Sequence, residues 1–351
     1  MKYAILVAGG TGGHINAALA VGEALKAEGY EVTYLTGKRP LDYKLFQGQS
    51  VLHLDSQPLR TTNPIKLIKS LCLNLMSFFS IFFLYLKKRP QFIVGAGGYV
   101  CGPTLLAGFL QFIPVFIIEQ NAFMGLTNRI LGWISSRIFV HFTKTQGLSN
   151  ALKKKVSVVG NPTRKSIQPV ANKVFDGQLK VLVFGGSLGA TQINNVIFEL
   201  IKNPPVTNLS IHHQLGAGVA APESRGQVDY KPMAYIDEIQ KEYEWCDVII
   251  ARSGASTVSE LAIIKKPVLI LPYPQATDNH QFFNAQILKE ESDFTVEVLD
   301  PKTPHPETLK RTEEFLVKAS RQELKYSQDR SSRNNTCDEI LREIKTHVGM
   351  A

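Results

Sequence analysis

A glycine cluster, Gly9-Gly10-Thr11-Gly12-Gly13-His14, follows an apolar run from Tyr3 to Ala8 and precedes a helical pattern that starts near Ile15. The order strand, glycine turn, helix is typical of phosphate-binding loops. Glycines let the backbone approach a ligand, and the amides at a helix N-terminus favour an anion. Glycine turns also arise for conformational reasons alone, so a single loop of this kind is a weak signal.

The middle of the chain repeats the pattern. Lys180 to Phe184 is predicted as a buried strand, and it leads directly into Gly185-Gly186-Ser187-Leu188-Gly189-Ala190. The two loops align without a gap, which predicts the same strand-to-helix turn twice and therefore two α/β units. The last aligned position holds His14 in one loop and Ala190 in the other.

His14 is a candidate general base because an imidazole can accept a proton near neutral pH. The alternative is that it only caps or packs at the start of its helix. The difference from Ala190 favours the base, with Asn121 and Glu119 as rival polar groups.

Length and composition predict a two-domain globular protein. The chain has 351 residues, of which 44% are hydrophobic and 20% charged. The apolar run after Lys2 has only six residues before the glycines, too short for a signal-peptide core. The scattered cysteines show no metal or redox spacing, and we expect reduced thiols in the cytosol: Cys72, Cys101, Cys246 and Cys337.

The net charge of +9 is unevenly distributed. Residues 1–164 contain 18 Lys and Arg against 6 Asp and Glu, whereas residues 165–351 contain 21 against 24. A basic half suits an anionic membrane surface. No nucleic-acid fold signature accompanies it, so we expect no nucleic-acid partner. A solvated basic face without any partner is the alternative.

Several further polar loops follow predicted strands, and in a parallel sheet such loops gather at the ligand-binding edge. A nicotinamide cofactor is disfavoured, because Ile15 occupies the third glycine position of a dinucleotide motif and the second strand, Glu31 to Thr36, ends without a carboxylate. The remaining candidate loops are Gly95 to Pro103, Glu119 to Asn121, Gly160 to Arg164, Arg252 to Glu260 and Pro272 to Gln281.

Two residues in these loops have open interpretations. Glu260 is either a first-turn acid that the helix dipole favours or a carboxylate that accepts both hydroxyls of a ribose. Gln281 is either a solvated helix residue or a ligand contact.

Leu71 to Leu86 is the most apolar segment, and it is shorter than the about 20 residues of a transmembrane helix. Its polar residues Ser70, Asn74 and Ser77 lie on one helical stripe. The segment is therefore either a deeply buried helix or a helix with one side facing lipid, and the flanking cations favour the second, monotopic interpretation. The candidate membrane patch consists of Leu75, Phe78, Phe79, Phe82, Lys69 and Lys87.

The region 165–177 is polar and aperiodic, and we place the domain boundary there. The predicted domains are 1–164 and 165–336, and a last helix, about 337–351, returns to the first domain. Two such domains suit an enzyme that binds a nucleotide diphosphate in one and an acceptor in the other. The sequence contains no Asp-x-Asp pair of the kind that holds a metal on a nucleotide sugar. We therefore expect no metal or other cofactor, with Arg164 and helix N-termini meeting the charge of the leaving group.

Taken together, these motifs resemble the MurG family of peptidoglycan N-acetylglucosaminyltransferases. The resemblance rests on both glycine loops, Gly97-Gly98-Tyr99-Val100, Glu119-Gln120-Asn121, Gly160-Asn161-Pro162 and Arg252-Ser253-Gly254-Ala255, in order over nearly the whole chain. It implies a GT-B fold, with two Rossmann-like parallel-sheet α/β domains facing a central cleft.

The resemblance also implies inverting, metal-independent transfer of GlcNAc from UDP-GlcNAc to the C4 hydroxyl of MurNAc in lipid I, which forms lipid II. It implies that 1–164 faces acceptor and membrane and that 165–336 binds UDP-GlcNAc. It implies a peripheral protein on the cytoplasmic face of the cell membrane, with other cell-wall synthesis proteins as candidate partners.

Site roles follow from the same resemblance. In the first domain His14 would be the base or position the acceptor, and Asn121 would reach the donor sugar together with the first loop, namely Thr11, Gly12 and Gly13. In the second domain Ser187 would hold the diphosphate near Arg164, the backbone at Ile236 would bind uracil, Glu260 would bind ribose, and Gln281 with His280 would bind the donor sugar. The chain departs from the family pattern at Asn16, Ala17, Cys101 and His280.

Rival interpretations come from two classes. Another GT-B enzyme, such as a diacylglycerol glycosyltransferase or a UDP-GlcNAc epimerase, would share the fold, although an epimerase needs no lipid-facing helix. A noncatalytic, membrane-recruited nucleotide-sugar sensor would keep the donor loops and tolerate the loss of His14.

Overall fold

The structure is a computed structural model that describes residues 2–59, 61–163, 166–186, 189–223, 228–329 and 335–349. The chain divides into two compact units, residues 1–165 with 334–351 (unit 1) and residues 166–333 (unit 2). Each unit is built on a parallel sheet with helices on its faces, which confirms the two Rossmann-like domains. Arg164 and Ser187 lie outside the described residues.

Unit 1 contains a parallel sheet with the strand order β3-β2-β1-β4-β5-β6-β7. The strands are β1 (Tyr3–Val7), β2 (Glu31–Thr36), β3 (Val51–His53), β4 (Phe92–Gly95), β5 (Val115–Glu119), β6 (Arg137–Val140) and β7 (Val156–Val158). The helices are α1 (Gly12–Ala27), α2 (Pro40–Leu45), α3 (Pro64–Lys87), α4 (Cys101–Leu110), α5 (Leu126–Leu131) and α6 (Asn150–Lys153).

Unit 2 repeats this organisation with the order β10-β9-β8-β11-β12-β13. Its strands are β8 (Leu179–Phe184), β9 (Leu209–Gln214), β10 (Val228–Met233), β11 (Val248–Ala251), β12 (Val268–Ile270) and β13 (Val296–Val298). Its helices are α7 (Thr191–Lys202), α8 (Ile239–Trp245), α9 (Ala255–Ile264), α10 (His280–Glu291) and α11 (His305–Ser320). The last helix, α12 (Thr336–His347), packs Ile340, Leu341 and Ile344 into the core beside α1.

The central strands explain where the sites lie. All residues of β1, β4 and β5 are buried, as expected for parallel strands that are covered on both faces. Because these three strands are neighbours, the loops that follow them lie side by side at one edge of the sheet. In unit 2 the neighbours β8, β11 and β12 bring their loops together in the same way.

Helix α3 differs from the expectation in length and in orientation. It has 24 residues, because Asn63 caps it by accepting from the backbone N–H groups of Ile65 and Lys66, at 3.0 and 3.1 Å. The polar stripe faces inward: Ser70 and Ser77 are buried, and the Asn74 side chain donates to backbone carbonyls. Of the 24 residues of α3 only Ser70, Ser77, Ile81 and Tyr85 are buried, so deep burial of this helix, one of the two interpretations, is wrong.

Candidate functional site

The first glycine loop fixes the ring of His14. Gly10 has a φ of +89°, and Thr11 caps α1 by accepting from the backbone N–H of His14 at 3.5 Å. The Nδ1 atom of His14 lies 3.2 Å from the carbonyl oxygen of Gly9. A carbonyl only accepts, so Nδ1 carries the proton, and in the neutral ring the lone pair is on Nε2. His14 thus has the tautomer that a base acting through Nε2 requires.

The loop after β4 packs directly against this ring. A Cβ atom at Gly97 would lie 2.9 Å from Nε2 of His14, and one at Gly98 would lie 2.1 Å from the Gly9 carbonyl oxygen. Both glycines also have positive φ, +110° and +92°. A side chain at either position would push the two loops apart, so these glycines set the position of the imidazole.

Glu119 organises the loop after β5. It is 1% exposed, and its Oε1 accepts from the backbone and side-chain nitrogens of Asn121, at 3.0 and 3.2 Å. Its Oε2 accepts from Gly125 N and Asn128 Nδ2, both at 2.9 Å. Gln120 donates to the Ala96 carbonyl at 2.7 Å, which ties this loop to the one after β4. Glu119 is therefore a buried scaffold that holds Asn121 at the loop surface.

Arg39 is a cation at this edge that the sequence reasoning missed. Its guanidinium donates to the carbonyl oxygen of Gly10 at 3.3 Å and lies over the ring of Tyr99, 4.9 Å from the centroid. The only sequence feature that could have pointed to Arg39 was its position shortly after β2. We used that segment only to argue, from its lack of a carboxylate, against a nicotinamide cofactor. Arg39 places an exposed positive charge beside the first glycine loop.

The second glycine loop begins like the first and then diverges. Gly186 has the same φ as Gly10, +89°, but Gly189 also has a positive φ, +75°, whereas its counterpart Gly13 is helical. Helix α7 therefore starts at the position equivalent to Ile15, three residues later than α1. The prediction of one identical turn used twice is wrong beyond the first two glycines. A Cβ atom at Gly189 would lie 2.1 Å from the Leu215 carbonyl oxygen, so only glycine fits at this position.

A buried histidine supports this second loop. His213 is fully buried and hydrogen bonds through Nε2 to Asn194, 3.1 Å away, and Asn194 donates to the same Leu215 carbonyl at 3.0 Å. Burial lowers the pKa of His213 to about 3.

We expect acid to destabilise unit 2 through His213. With a folded pKa of about 3 and an unfolded value near 6.5, only the unfolded state takes up this proton in between, so stability falls as the pH drops through that window. At pH 5 the loss is about 2 kcal/mol. Urea unfolding of His213→Asn at pH 7.5 and pH 5 should show a weaker pH dependence than the parent. Equal dependence would contradict this assignment.

Glu260 is held by a tyrosine. It lies in the second turn of α9, nearly buried, and its Oε2 accepts from the hydroxyl of Tyr243 at 2.7 Å. The first-turn interpretation of Glu260 is therefore wrong. Tyr243 is fully buried, 17 residues away on α8, and the sequence offered no signal that joined the two.

Arg252 anchors the loop after β12. Its buried guanidinium donates to the carbonyls of Leu271 and Pro272 at 2.7 and 2.8 Å, and burial lowers its pKa to about 10, so it stays charged. The Oε1 of Gln281 accepts from the backbone N–H of Tyr273 at 2.9 Å, and His280 opens α10 with Nδ1 2.7 Å from the Thr277 carbonyl. Gln281 is thus a loop-ordering residue whether or not it contacts a ligand.

The remaining candidates are distributed as follows. Thr11, Gly12 and Gly13 form the start of α1 beside His14, and Ile236 is a buried side chain in the loop between β10 and α8. The proposed contacts of Arg164 and Ser187 cannot be placed, since both lie outside the described residues. Among the described residues no cluster of three His, Cys, Asp or Glu side chains is arranged to hold a metal ion.

The candidate membrane patch lies on an apolar helix surface. Leu75, Phe79, Lys69 and Lys87 are exposed, while Phe78 and Phe82 are partly buried against the core. Exposed apolar side chains run the length of α3: Ile65, Ile68, Leu71, Leu75, Met76, Phe79, Phe83 and Leu86. The helix is long and apolar enough, by length and composition alone, to cross a membrane, with a mean hydropathy of 1.9.

Comparison with known proteins assigns both halves of the chain. Residues 4–140 match the glycosyltransferase family 28 N-terminal domain, and residues 180–341 match its C-terminal domain. The chain is 36% identical over 313 residues to the UDP-N-acetylglucosamine--N-acetylmuramyl-(pentapeptide) pyrophosphoryl-undecaprenol N-acetylglucosamine transferase of Francisella philomiragia, covering 84% of each chain.

Two solved structures extend the comparison. The crystal structure of Acinetobacter baumannii MurG matches 99% of this chain and 100% of its own, with a TM-score of 0.73 and 27% identity. The UDP-GlcNAc 2-epimerase of Neisseria meningitidis, bound to UDP-GlcNAc, matches 98% of this chain and 100% of its own, with a TM-score of 0.59. At 16% identity the epimerase shares the fold alone.

Proposed function

The chain belongs to glycosyltransferase family 28 and, within it, to the MurG transferases, and from that premise we propose how its two units divide the reaction. The enzyme transfers GlcNAc from UDP-GlcNAc to lipid I, the N-acetylmuramyl-(pentapeptide) pyrophosphoryl-undecaprenol acceptor, and forms lipid II. In our proposal unit 1 supplies the base and receives the acceptor, and unit 2 holds the donor.

The geometry of His14 carries the proposal. Its Nδ1–H donates to the Gly9 carbonyl, and its ring lies against Gly97 at the carboxyl edge of the unit 1 sheet. Nε2 would take the proton of the C4 hydroxyl while that oxygen bonds to the anomeric carbon and UDP departs. Attack opposite the leaving group inverts the anomeric carbon. Asn121, fixed by Glu119, would contact the sugars from the same edge.

Unit 2 would bind the donor through the loops after β8, β11 and β12. The glycine loop before α7 would meet the diphosphate with backbone amides, assisted by Ser187 and Arg164. Glu260 would accept hydrogen bonds from the ribose hydroxyls. Gln281 and His280 would contact the GlcNAc hydroxyls, and the backbone at Ile236 would bind uracil. The single carboxylate of Glu260 can accept two hydroxyl hydrogens, which suits a ribose.

Tyr243→Phe tests the ribose assignment. We expect the KM for UDP-GlcNAc to rise about fivefold with kcat nearly unchanged, because the tyrosine hydroxyl orients the carboxylate without contacting the reacting atoms. Discrimination against the 2′-deoxyribose donor should fall as well, a change that a merely structural role would not produce. Ser259→Ala, a neighbouring buried hydroxyl on α9 that bonds the Ala255 carbonyl, is the matched control. A higher KM with unchanged discrimination would contradict the assignment.

The membrane role rests on α3. Its outward side exposes apolar residues along the whole helix while its inward side packs on unit 1, so we propose that it lies in the membrane interface rather than across the bilayer. The excess of cations in residues 1–164 would draw unit 1 to an anionic, cytoplasmic surface. A peripheral enzyme on that face would meet its lipid-linked acceptor there.

The direct test is release of UDP from UDP-GlcNAc by the purified protein in a chelating buffer, with and without a soluble lipid I analogue. Release that depends on the analogue and survives chelation is expected. Release or epimerisation without the analogue would favour the epimerase reaction, and donor binding with no turnover would favour the sensor; either outcome would overturn the proposal.

A further inference from the structure

A second exposed apolar surface lies on α5. Leu126, Ile130 and the adjoining Trp133 are each 62% exposed, and their spacing of four and three residues puts them on one side of the helix. We call these three residues the α5 ridge. The opposite side of α5 is anchored by the buried residues Asn128 and Leu131.

The α5 ridge lies on the same face of unit 1 as α3. Side chains from α3, α4 and α5 contribute to one core cluster on that face, including Ile81, Leu105 and Leu131. Helix α4 packs against both α3 and α5, and it exposes Leu106, Phe109 and Leu110 between them. With helix axes about 8–10 Å apart, the outward sides of α3 and α5 are roughly 20 Å from each other.

The backbone carbonyls of the turn that presents Trp133 accept hydrogen bonds from a cation. The ammonium of Lys155 donates to the carbonyl oxygens of Gly132, Trp133 and Ser135, at 3.2, 2.8 and 2.8 Å. The turn after α4 is built alike: Arg89 donates to the carbonyls of Gln111 and Phe112, at 2.8 and 3.2 Å. Unpaired carbonyls are costly near lipid, so turns capped by cations suit a membrane interface.

The chain segment that contains α3, α4 and α5 carries charge of nearly one sign. Residues 56–163 contain twelve Lys and Arg and a single acidic residue, Glu119. Glu119 is 1% exposed and bonded to four N–H groups, so it does not offset the positive surface. Outside this segment, the part-exposed carboxylate of Glu31 pairs with Lys88 at the end of α3. An exposed aromatic edge in a segment with this excess of cations matches anionic lipid.

We propose that the α5 ridge is a second lipid-contacting edge that seats Trp133 at the interface of an anionic bilayer. This rests on the proposed membrane role of α3 and adds an orientation: contact through two separate edges stops unit 1 from rolling about α3. The carboxyl edge of the sheet, which carries His14, is then held at a fixed angle to the membrane that contains the acceptor.

Intrinsic fluorescence tests the proposal, because Trp133 and Trp245 are the only tryptophans in the sequence. Trp245 lies in unit 2, where its ring stacks on His212 with centroids 3.5 Å apart. In full-length Trp245→Phe the emission reports Trp133 alone. Vesicles of phosphatidylglycerol and phosphatidylcholine in equal parts should shift that emission to the blue, and lipids brominated on their acyl chains should quench it.

Trp133→Ser should weaken binding to the same vesicles about tenfold. Val174→Ser, an exposed apolar residue of unit 2, is the matched control and should bind like the parent. Vesicle binding without an emission change would overturn the proposal and leave α3 as the contact. An emission shift that follows protein concentration instead of lipid would assign the ridge to protein association, and would also overturn it. Turnover of Trp133→Ser with a soluble acceptor reports the transferase proposal separately and should be unchanged.

Discussion

His14→Ala lowers acceptor-dependent turnover by about 100-fold or more and leaves UDP binding nearly unchanged. The reason is that the units divide the substrates: His14 belongs to unit 1, whereas the proposed UDP contacts other than Arg164 belong to unit 2. The imidazole lies against Gly97, and alanine removes the only group we assign to take the proton of the acceptor hydroxyl. An assay of acceptor-dependent turnover and a titration with UDP, both on the same preparation, test the two expectations.

The control for this variant is His53→Ala. His53 is also in unit 1, and its Nδ1 also lies near a carbonyl, that of Gly37 at 2.7 Å, but its ring stacks on Tyr43 instead of facing the glycine loops. We expect it to keep most of the turnover. If His14→Ala were as active as this control, His14 would not be the base. Loss of UDP binding in His14→Ala would mean that the two units do not divide the substrates in this way.

Phe79→Ser combined with Phe83→Ser weakens binding to anionic vesicles by at least about 30-fold. Both rings are largely exposed on α3, and removing each from the interface forfeits about 1–2 kcal/mol of apolar burial. The thermal unfolding midpoint should change little, because neither ring fills the core. Vesicle co-sedimentation and a thermal melt test the two expectations together.

A buried position on the same helix provides the matched contrast. Ile81→Ser should lower the unfolding midpoint, because Ile81 is 1% exposed within the core of unit 1, and it should affect vesicle binding only through folding. If the double phenylalanine variant lost stability and kept its vesicle binding, the outer side of α3 would pack on protein.

The central strands were predictable because burial on both faces leaves near-continuous apolar runs. β2 at Glu31–Thr36 has the predicted bounds, and β8, predicted from Lys180 to Phe184, begins one residue earlier at Leu179. Strand β10, Val228–Met233, was missed because it is polar and contains Pro232. It lies at the edge of the sheet, where the missing N–H of a proline is tolerated. An edge strand also does not need the pattern of buried apolar residues that marks a central strand.

The candidate site was only partly predictable, since its key contacts join residues far apart in the chain. His14 and Asn121 stood out because each follows a strand, and parallel strands bring such loops to one edge. The link from Tyr243 to Glu260 and that from Arg39 to Gly10 depend on tertiary packing that no local pattern encodes. The early start of α1 was also hidden: Gly12 and Gly13 are poor helix formers, and the cap from Thr11 compensates.

The inward polar stripe of α3 was visible in the sequence, but its direction was not. A soluble helix normally turns its polar side to water, and here Ser70 and Ser77 face the protein. That inversion is physically reasonable only where something apolar covers the outer side, which is why we assign lipid there.

The most direct test of the central claim is the anomeric configuration of the product. The enzyme is incubated with UDP-GlcNAc and a soluble lipid I analogue in a chelating buffer, and the purified product is analysed by proton NMR. Our account predicts a disaccharide in which GlcNAc is β-linked to the C4 oxygen of MurNAc, with about 100-fold less product, or still less, from His14→Ala over the same interval. An α-linked disaccharide, or free or epimerised sugar in its place, would contradict the account.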